Sequence, residues 1–208
     1  HFYHDGHTRM SASQQSPWQT YVPRIDKRHQ HWLTDTNSLT LKLKRHCQQF
    51  KVIRAFQGKR ALHLSEYQAI ERPLVNPVMT RDVVLCCDGQ PVVIGHTITA
   101  LDTLKRHWPF FNALGNKALG LTLFFNPLIT RKPFEYTRLA RHDMLYQLAQ
   151  KTLKAQGFQV DLPEYLWARR GVFVHQRQKG SRMMVTEIML PSVYTLTELR
   201  KSLHYDRP

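Results

Sequence analysis

The sequence predicts an antiparallel α+β domain, on three observations. Two long apolar runs, Val83 to Cys87 and Val92 to Thr99, enclose Asp88-Gly89-Gln90-Pro91, where glycine tolerates the positive φ of a tight hairpin. A second pair, Val172 to Gln176 and Met183 to Leu190, flanks Lys179-Gly180 in the same way. Between and around these hairpins lie segments with apolar residues at helical spacing. Strands joined by hairpins with helices inserted between them give an α+β domain rather than repeating strand-helix-strand units.

The elements follow in chain order. Residues 1 to 17 are polar and read as a flexible leader outside the fold, and Trp18 to His31 as an irregular packed segment. Asn37 or Ser38 caps a helix whose face is Leu39, Leu43 and Cys47, stopping near Phe50. KVIRAFQ at 51–57 alternates as a strand, with a turn at Gly58-Lys59, and Pro73 and Pro77 mark a loop before the long strand that starts near Met79. Leu101 to Leu114 is a short helical pattern broken at Pro109, Ala118 to Phe125 another helix, and FEYTRL at 134–139 a strand. Met144, Leu145, Leu148 and Leu153 give a helix over 142–156, closed by Gly157, and a last short helix starts at Thr197. The near-continuous apolarity of the first hairpin implies a sheet covered on much of both faces, or one whose second face lines a pocket.

Composition narrows the class. A chain of 208 residues and 24.5 kDa is one domain, taken as 18–208, with enough length for a sizeable core. No stretch approaches the ~18 consecutive apolar residues of a membrane span, and the first ten residues lack the apolar core of a secretory signal, so a cytoplasmic protein is expected. Cys47, Cys86 and Cys87 have no metal-ligand spacing, and neighbours on a strand face opposite ways, so they read as small core residues. His1, His4 and His7 recur every three residues but lack Cys or carboxylate support, and belong to the leader. No metal or cofactor is expected, since no phosphate loop, HExxH, CxxC or GxSxG occurs.

The net charge is +15, and residues 24–60 carry ten Lys/Arg against two Asp. A positive field of that size serves nucleic acid, a solvated basic face, or the steering of a small anion. No helix-turn-helix, zinc-finger or RNP-type pattern accompanies it, so nucleic acid is the weaker choice. Two charges stand out because they interrupt apolar strands: Arg81 at the head of RDVVLCCDGQPVVIGHT, and Glu187 inside RMMVTEIMLP. Buried Arg and Glu need partners, so each either forms a structural ion pair or faces a ligand.

Taken in order, RDVVLCCDGQPVVIGHT (81–97), LGNKALG (114–120), TRKPFEYTRL (130–139), WARR (167–170) and TEIMLP (186–191) resemble the chorismate lyase family from about Trp32 to Tyr194. That family removes pyruvate from chorismate to leave 4-hydroxybenzoate for ubiquinone synthesis. The resemblance implies an antiparallel sheet with helices packed on one side and helical flaps over a buried ligand pocket; a monomer is expected. Chorismate and 4-hydroxybenzoate are the implied partners.

Site residues carry over by position. Arg81 matches the arginine that pairs with the ring carboxylate, a pairing that suits a planar guanidinium. Glu187 matches the glutamate that meets the para oxygen, and its burial would favour a protonated, donating form. Leu39 and Leu119 match residues whose backbone amides touch the ligand. Arg81 and Glu187 are therefore expected to be the catalytic pair, holding the substrate so that the ring C4 hydrogen and the enolpyruvyl group leave together. Three features depart from the pattern or add nothing to the site. His96 stands where the family has Arg, a place that could serve the enolpyruvyl carboxylate or ligand exit, so it reads either as a titratable substitute or as a surface strand histidine; Ala100 replaces a Pro. Residues 141–163 form a longer segment than usual, expected as an added helical hairpin, and Arg169 and Arg170 read as a mainly solvated pair. The alternatives are a non-catalytic small-molecule-binding domain of the same fold and a basic nucleic-acid-binding protein; chorismate turnover and salt-dependent DNA binding separate the three.

Overall fold

The computed structural model describes residues 18–22, 24–61, 64–71, 78–115 and 117–199. The leader with its three histidines and the loop containing Pro73 and Pro77 lie outside the described residues. Seven strands form one sheet in which every pairing is antiparallel. They are β1 (Phe50–Lys59), β2 (Val78–Cys87), β3 (Gln90–Ala100), β4 (Ile129–Arg131), β5 (Glu135–Ala140), β6 (Tyr165–His175) and β7 (Gln178–Met189). Their order is β1-β2-β3-β7-β6-β4, with β5 also pairing β6. The helices are α1 (Lys27–Leu33), α2 (Leu39–His46), α3 (Leu64–Ala69), α4 (Leu101–His107), α5 (Leu119–Phe125) and α6 (Met144–Ala155).

Local chemistry explains the boundaries. Asp26 accepts from the His29 amide and starts α1, while Ser38, not Asn37, caps α2 by accepting from Leu41 N at 3.3 Å. The first hairpin turns where expected, with φ of 49° at Asp88 and 80° at Gly89. The second turns at Gln176-Arg177 instead of Lys179-Gly180. Val174 pairs Arg182 while His175 pairs Gln178, so the glycine marks a bulge within β7 rather than the turn. Likewise Gly58 stays in β1, paired to Thr80, and Thr197 to Leu199 are not helical.

Both faces of the sheet are covered. On the first, Leu85, Cys87, Val93 and Met189 pack on Trp32, Leu33, Leu39 and Leu43 of α1 and α2, and Met183 packs on Leu104, Leu119 and Leu123 of α4 and α5. On the second, Val84, Cys86, Ile94, Ala168 and Ile188 pack on Tyr146, Ala149 and Leu153 of α6, and Val78, Ile98 and Met184 on Tyr67 and Ile70 at α3. The expected arrangement of helices on one side is corrected in this respect: the even-numbered apolar residues of β2 and β3 must also leave water, and α3 and α6 supply their cover. Residues 141–163 are thus a single helix with an extended return, not a helical hairpin. Cys86 and Cys87 fall in opposite cores, as strand alternation requires. No helix among the described residues is long and apolar enough to cross a membrane.

Candidate active site

Strand register places the two interrupting charges on the same face. Arg81 pairs Thr97, which pairs Val185; Glu187 pairs both Gly95 and Arg169. Directly paired residues point the same way, and so do residues two apart, so Arg81 and Glu187 both face α2 and α5. They lie two strands and two residues apart, roughly 12 Å between Cα atoms from ordinary sheet spacings. Gly95 lies between them, where an added Cβ would come within 2.9 Å of Val83 Cγ2, and its missing side chain keeps the floor low.

Arg81 is 1% exposed, and its acceptors among the described residues are all neutral. It donates from Nη1 to Gln57 Oε1 at 3.1 Å, and from Nη2 to the carbonyls of Gly115 at 2.9 Å and Lys117 at 3.0 Å. Burial, with Arg54 nearby, pushes its pKa below the usual guanidinium value. No carboxylate among the described residues pairs with it, although a buried cation ordinarily has a counter-charge. The two carbonyls belong to the loop that leads into α5, so the same arginine anchors that helix over the sheet.

Glu187 sits at the other end. Arg169 Nε donates to its Oε2 at 2.5 Å, and the side chain is 20% exposed. Glu187 therefore has an ion-pair partner: Arg169 occupies one carboxylate oxygen, and no hydrogen bond to the other is formed among the described residues. Arg169 also donates from Nη1 to Leu33 O at 3.2 Å and Asp35 O at 2.5 Å, tying down the loop that enters α2. Its guanidinium lies 4.3 Å from the Phe134 ring centre, and that of Arg131 lies 3.9 Å from the same ring. Gly171 permits this stacking, because a Cβ there would meet Arg131 Cδ at 3.0 Å and Phe134 Cε1 at 3.1 Å.

A narrow cleft of about 40 Å³ runs between the sheet and the two helices, with Leu39, Gly120, Arg131, Phe134, Arg169 and Glu187 among its walls. Leu39 and Leu119 are the first residues of α2 and α5, where amides have no partner within the helix. Leu39 borders the cleft directly; Leu119 turns its side chain into the core beside it. Arg81 is not among the walls of this cleft; its Nη2 is engaged by the carbonyls of Gly115 and Lys117. The space suits a few waters.

Two expectations are corrected here. Arg169 and Arg170 are 1% and 7% exposed, not solvated. Neighbours on a strand face opposite ways, so Arg169 enters the cleft while Arg170 crosses to the second face, donating to Glu135 Oε2 at 2.6 Å and stacking on Trp18. His96 is also on the second face, remote from the cleft. It is 4% exposed, with Nδ1 2.6 Å from Asp82 Oδ1 and Nε2 2.8 Å from Glu66 Oε1, and Arg60 completes the cluster on Asp82 at 2.5 Å. A ring that donates at both nitrogens is an imidazolium.

Burial alone would push the His96 pKa down, but the bonds to Asp82 and Glu66 outweigh it and raise it from 6.5 to about 10. A raised histidine pKa gives stability that is fully present below 6.5 and lost as pH climbs through about 10. Denaturant midpoints measured from pH 6.5 to 10 should therefore fall more steeply for the wild type than for His96→Gln. A constant gap between the two proteins would remove the imidazolium from this role.

One antiparallel sheet thus carries Arg81, with no carboxylate partner among the described residues, on the same face as Glu187 and beside the loop into α5: an α+β domain with two charges held under helices. The profile of the chorismate lyase family matches residues 13–199. A protein of Cupriavidus pinatubonensis named probable chorismate pyruvate-lyase is 37% identical over 175 residues, covering 84% of this chain and 87% of that one. Its namesake in Nitrosospira multiformis is 33% identical over 188 residues, covering 90% and 99%. The chain belongs to the chorismate lyase family of enzymes. Among solved structures, PhnF from Mycobacterium smegmatis has a TM-score of 0.52 at 12% identity, covering 81% of this chain and 70% of that chain, a likeness of fold alone.

Proposed function

We propose that this chain eliminates pyruvate from chorismate and leaves 4-hydroxybenzoate, an early step of ubiquinone synthesis. Arg81 takes the ring carboxylate, Glu187 accepts from the para hydroxyl, and the amides of Leu39 and Leu119 complete the cradle. The observation that carries this reading is Arg81, a fully buried cation with no carboxylate partner among the described residues, sharing one sheet face with Glu187. A guanidinium bonded, among the described residues, to Gln57 and two carbonyls gains a charge-assisted pair when a carboxylate arrives, and such bonds are worth about 1.5–3 kcal/mol each.

The chemistry asks little of the protein beyond placement. The ring C4–H bond and the ether C–O bond break, a ring double bond forms, and aromaticity drives the step. The proton finishes on the methylene carbon of the departing enolpyruvate, which becomes pyruvate. No nucleophile is consumed and no electrons pass to the protein. Arg81 and Glu187 fix the ring at both ends, and closure of α2 and α5 excludes water, so the substrate is held in the conformer from which both groups leave. Incubating the protein with chorismate should release pyruvate and 4-hydroxybenzoate in equal amounts; chorismate recovered intact would reject the reaction.

A further inference from the structure

Chorismate carries two carboxylates, and its aromatic product keeps one. If Arg81 holds the ring carboxylate and Glu187 the para oxygen, the enolpyruvyl ether, on the ring carbon next to that oxygen, falls at the Glu187 end of the cleft. Its carboxylate needs a cation there. His96 is on the wrong face of the sheet, and Arg81 is at the wrong end. Arg169 commits Nε and Nη1 to Glu187, Leu33 O and Asp35 O, and its charge is already met by the Glu187 carboxylate.

Arg131 remains, and its surroundings suit the task. It lines the cleft, and its plane is fixed by stacking on Phe134 at 3.9 Å, over the bare backbone of Gly171. Among the described residues it makes one hydrogen bond, from Nη2 to Thr36 O at 2.9 Å. A guanidinium carries five N–H donors, so Nε and Nη1 are left for a ligand. Burial and the neighbouring Arg169 cation push its pKa down, only partly offset by Glu187, so this corner of the site has positive charge in excess.

We infer that Arg131 binds the enolpyruvyl carboxylate of chorismate and thereby distinguishes substrate from product. This rests on the proposed reaction. The contact exists in the substrate and persists while the ether bond breaks, when negative charge gathers on the departing oxygen beside the guanidinium. It disappears once pyruvate has gone. Arg131 thus favours chorismate without tightening the hold on 4-hydroxybenzoate, which separates its role from that of Arg81.

The test compares wild type, Arg131→Gln and Arg131→Lys by kcat/KM for pyruvate release from chorismate and by the inhibition constant of 4-hydroxybenzoate. Loss of two charge-assisted hydrogen bonds lowers kcat/KM of Arg131→Gln by about 100-fold, while the inhibition constant moves less than about threefold. Arg131→Lys keeps the charge and the stem, recovers part of the loss, and serves if the glutamine variant does not fold. Equal losses in both constants, or an unchanged kcat/KM, would overturn the assignment with the reaction intact. Wild-type protein that releases no pyruvate would overturn the reaction itself and this role with it.

Discussion

Replacing Arg81 with alanine lowers 4-hydroxybenzoate affinity and kcat/KM for chorismate together, each by about 100-fold to 1000-fold. The figure follows from losing two charge-assisted bonds to one carboxylate, at about 1.5–3 kcal/mol apiece, with some recovery from water entering the gap. The parallel fall is what marks the ring carboxylate, which substrate and product share. Arg81 also anchors Gly115 and Lys117, so the variant loosens the loop that leads into α5. Arg81→Lys separates these effects: it keeps a cation that can reach a carbonyl but loses the planar fork, and should fall between alanine and wild type. Calorimetric titration with 4-hydroxybenzoate and a pyruvate assay on the same preparations measure both quantities. Retention of product affinity in the alanine variant would place the carboxylate elsewhere.

The second large effect is on the fold. Arg169→Ala costs about 3–5 kcal/mol of folding stability, because it strands Glu187 and leaves the Leu33 and Asp35 carbonyls without their donor. For a chain of this size that is a drop in melting temperature of roughly 6 to 20 °C. Removing both charges, as in Arg169→Met with Glu187→Met, should cost less than the sum of the single changes, since neither charge is then left alone. Denaturant titration of the four proteins gives the coupling directly, and strictly additive losses would mean that the pair contributes no mutual stabilisation.

Much of this was legible in the chain, for identifiable reasons. Asp88-Gly89 between two β-branched runs leaves few options other than a hairpin, and Met144, Leu145, Leu148 and Leu153 leave few other than a helix. Arg81 and Glu187 stood out because charge inside an apolar strand is costly enough to require a cause. What could not be read depended on distant pairing. The helix α1 has only Trp32 and Leu33 to signal an apolar face, and β4 is too short to show a period. Gly180 signalled irregular backbone, but the choice between turn and bulge lay in its pairing with β6.

Arg169 and Arg170 show the same limit at the site. Two adjacent arginines look solvated until β6 is known to lie between β7 and the β4 and β5 strands, with both faces covered. Alternation alone could have sent one arginine to each face. The positions of β6 within the sheet and of α6 on its second face decide that both are buried. The role of Arg131 was hidden for a similar reason, since a three-residue strand gives no hint that its last side chain lies back over Gly171.

The central claim is that Arg81 and Glu187 hold opposite ends of one aromatic ligand. Titrating wild type and Arg81→Ala with 4-hydroxybenzoate and with its neutral amide, 4-hydroxybenzamide, tests it most directly. The amide should bind wild type about 100-fold more weakly than the acid, and this difference should collapse in Arg81→Ala. An acid-over-amide preference that survives loss of the arginine would contradict it.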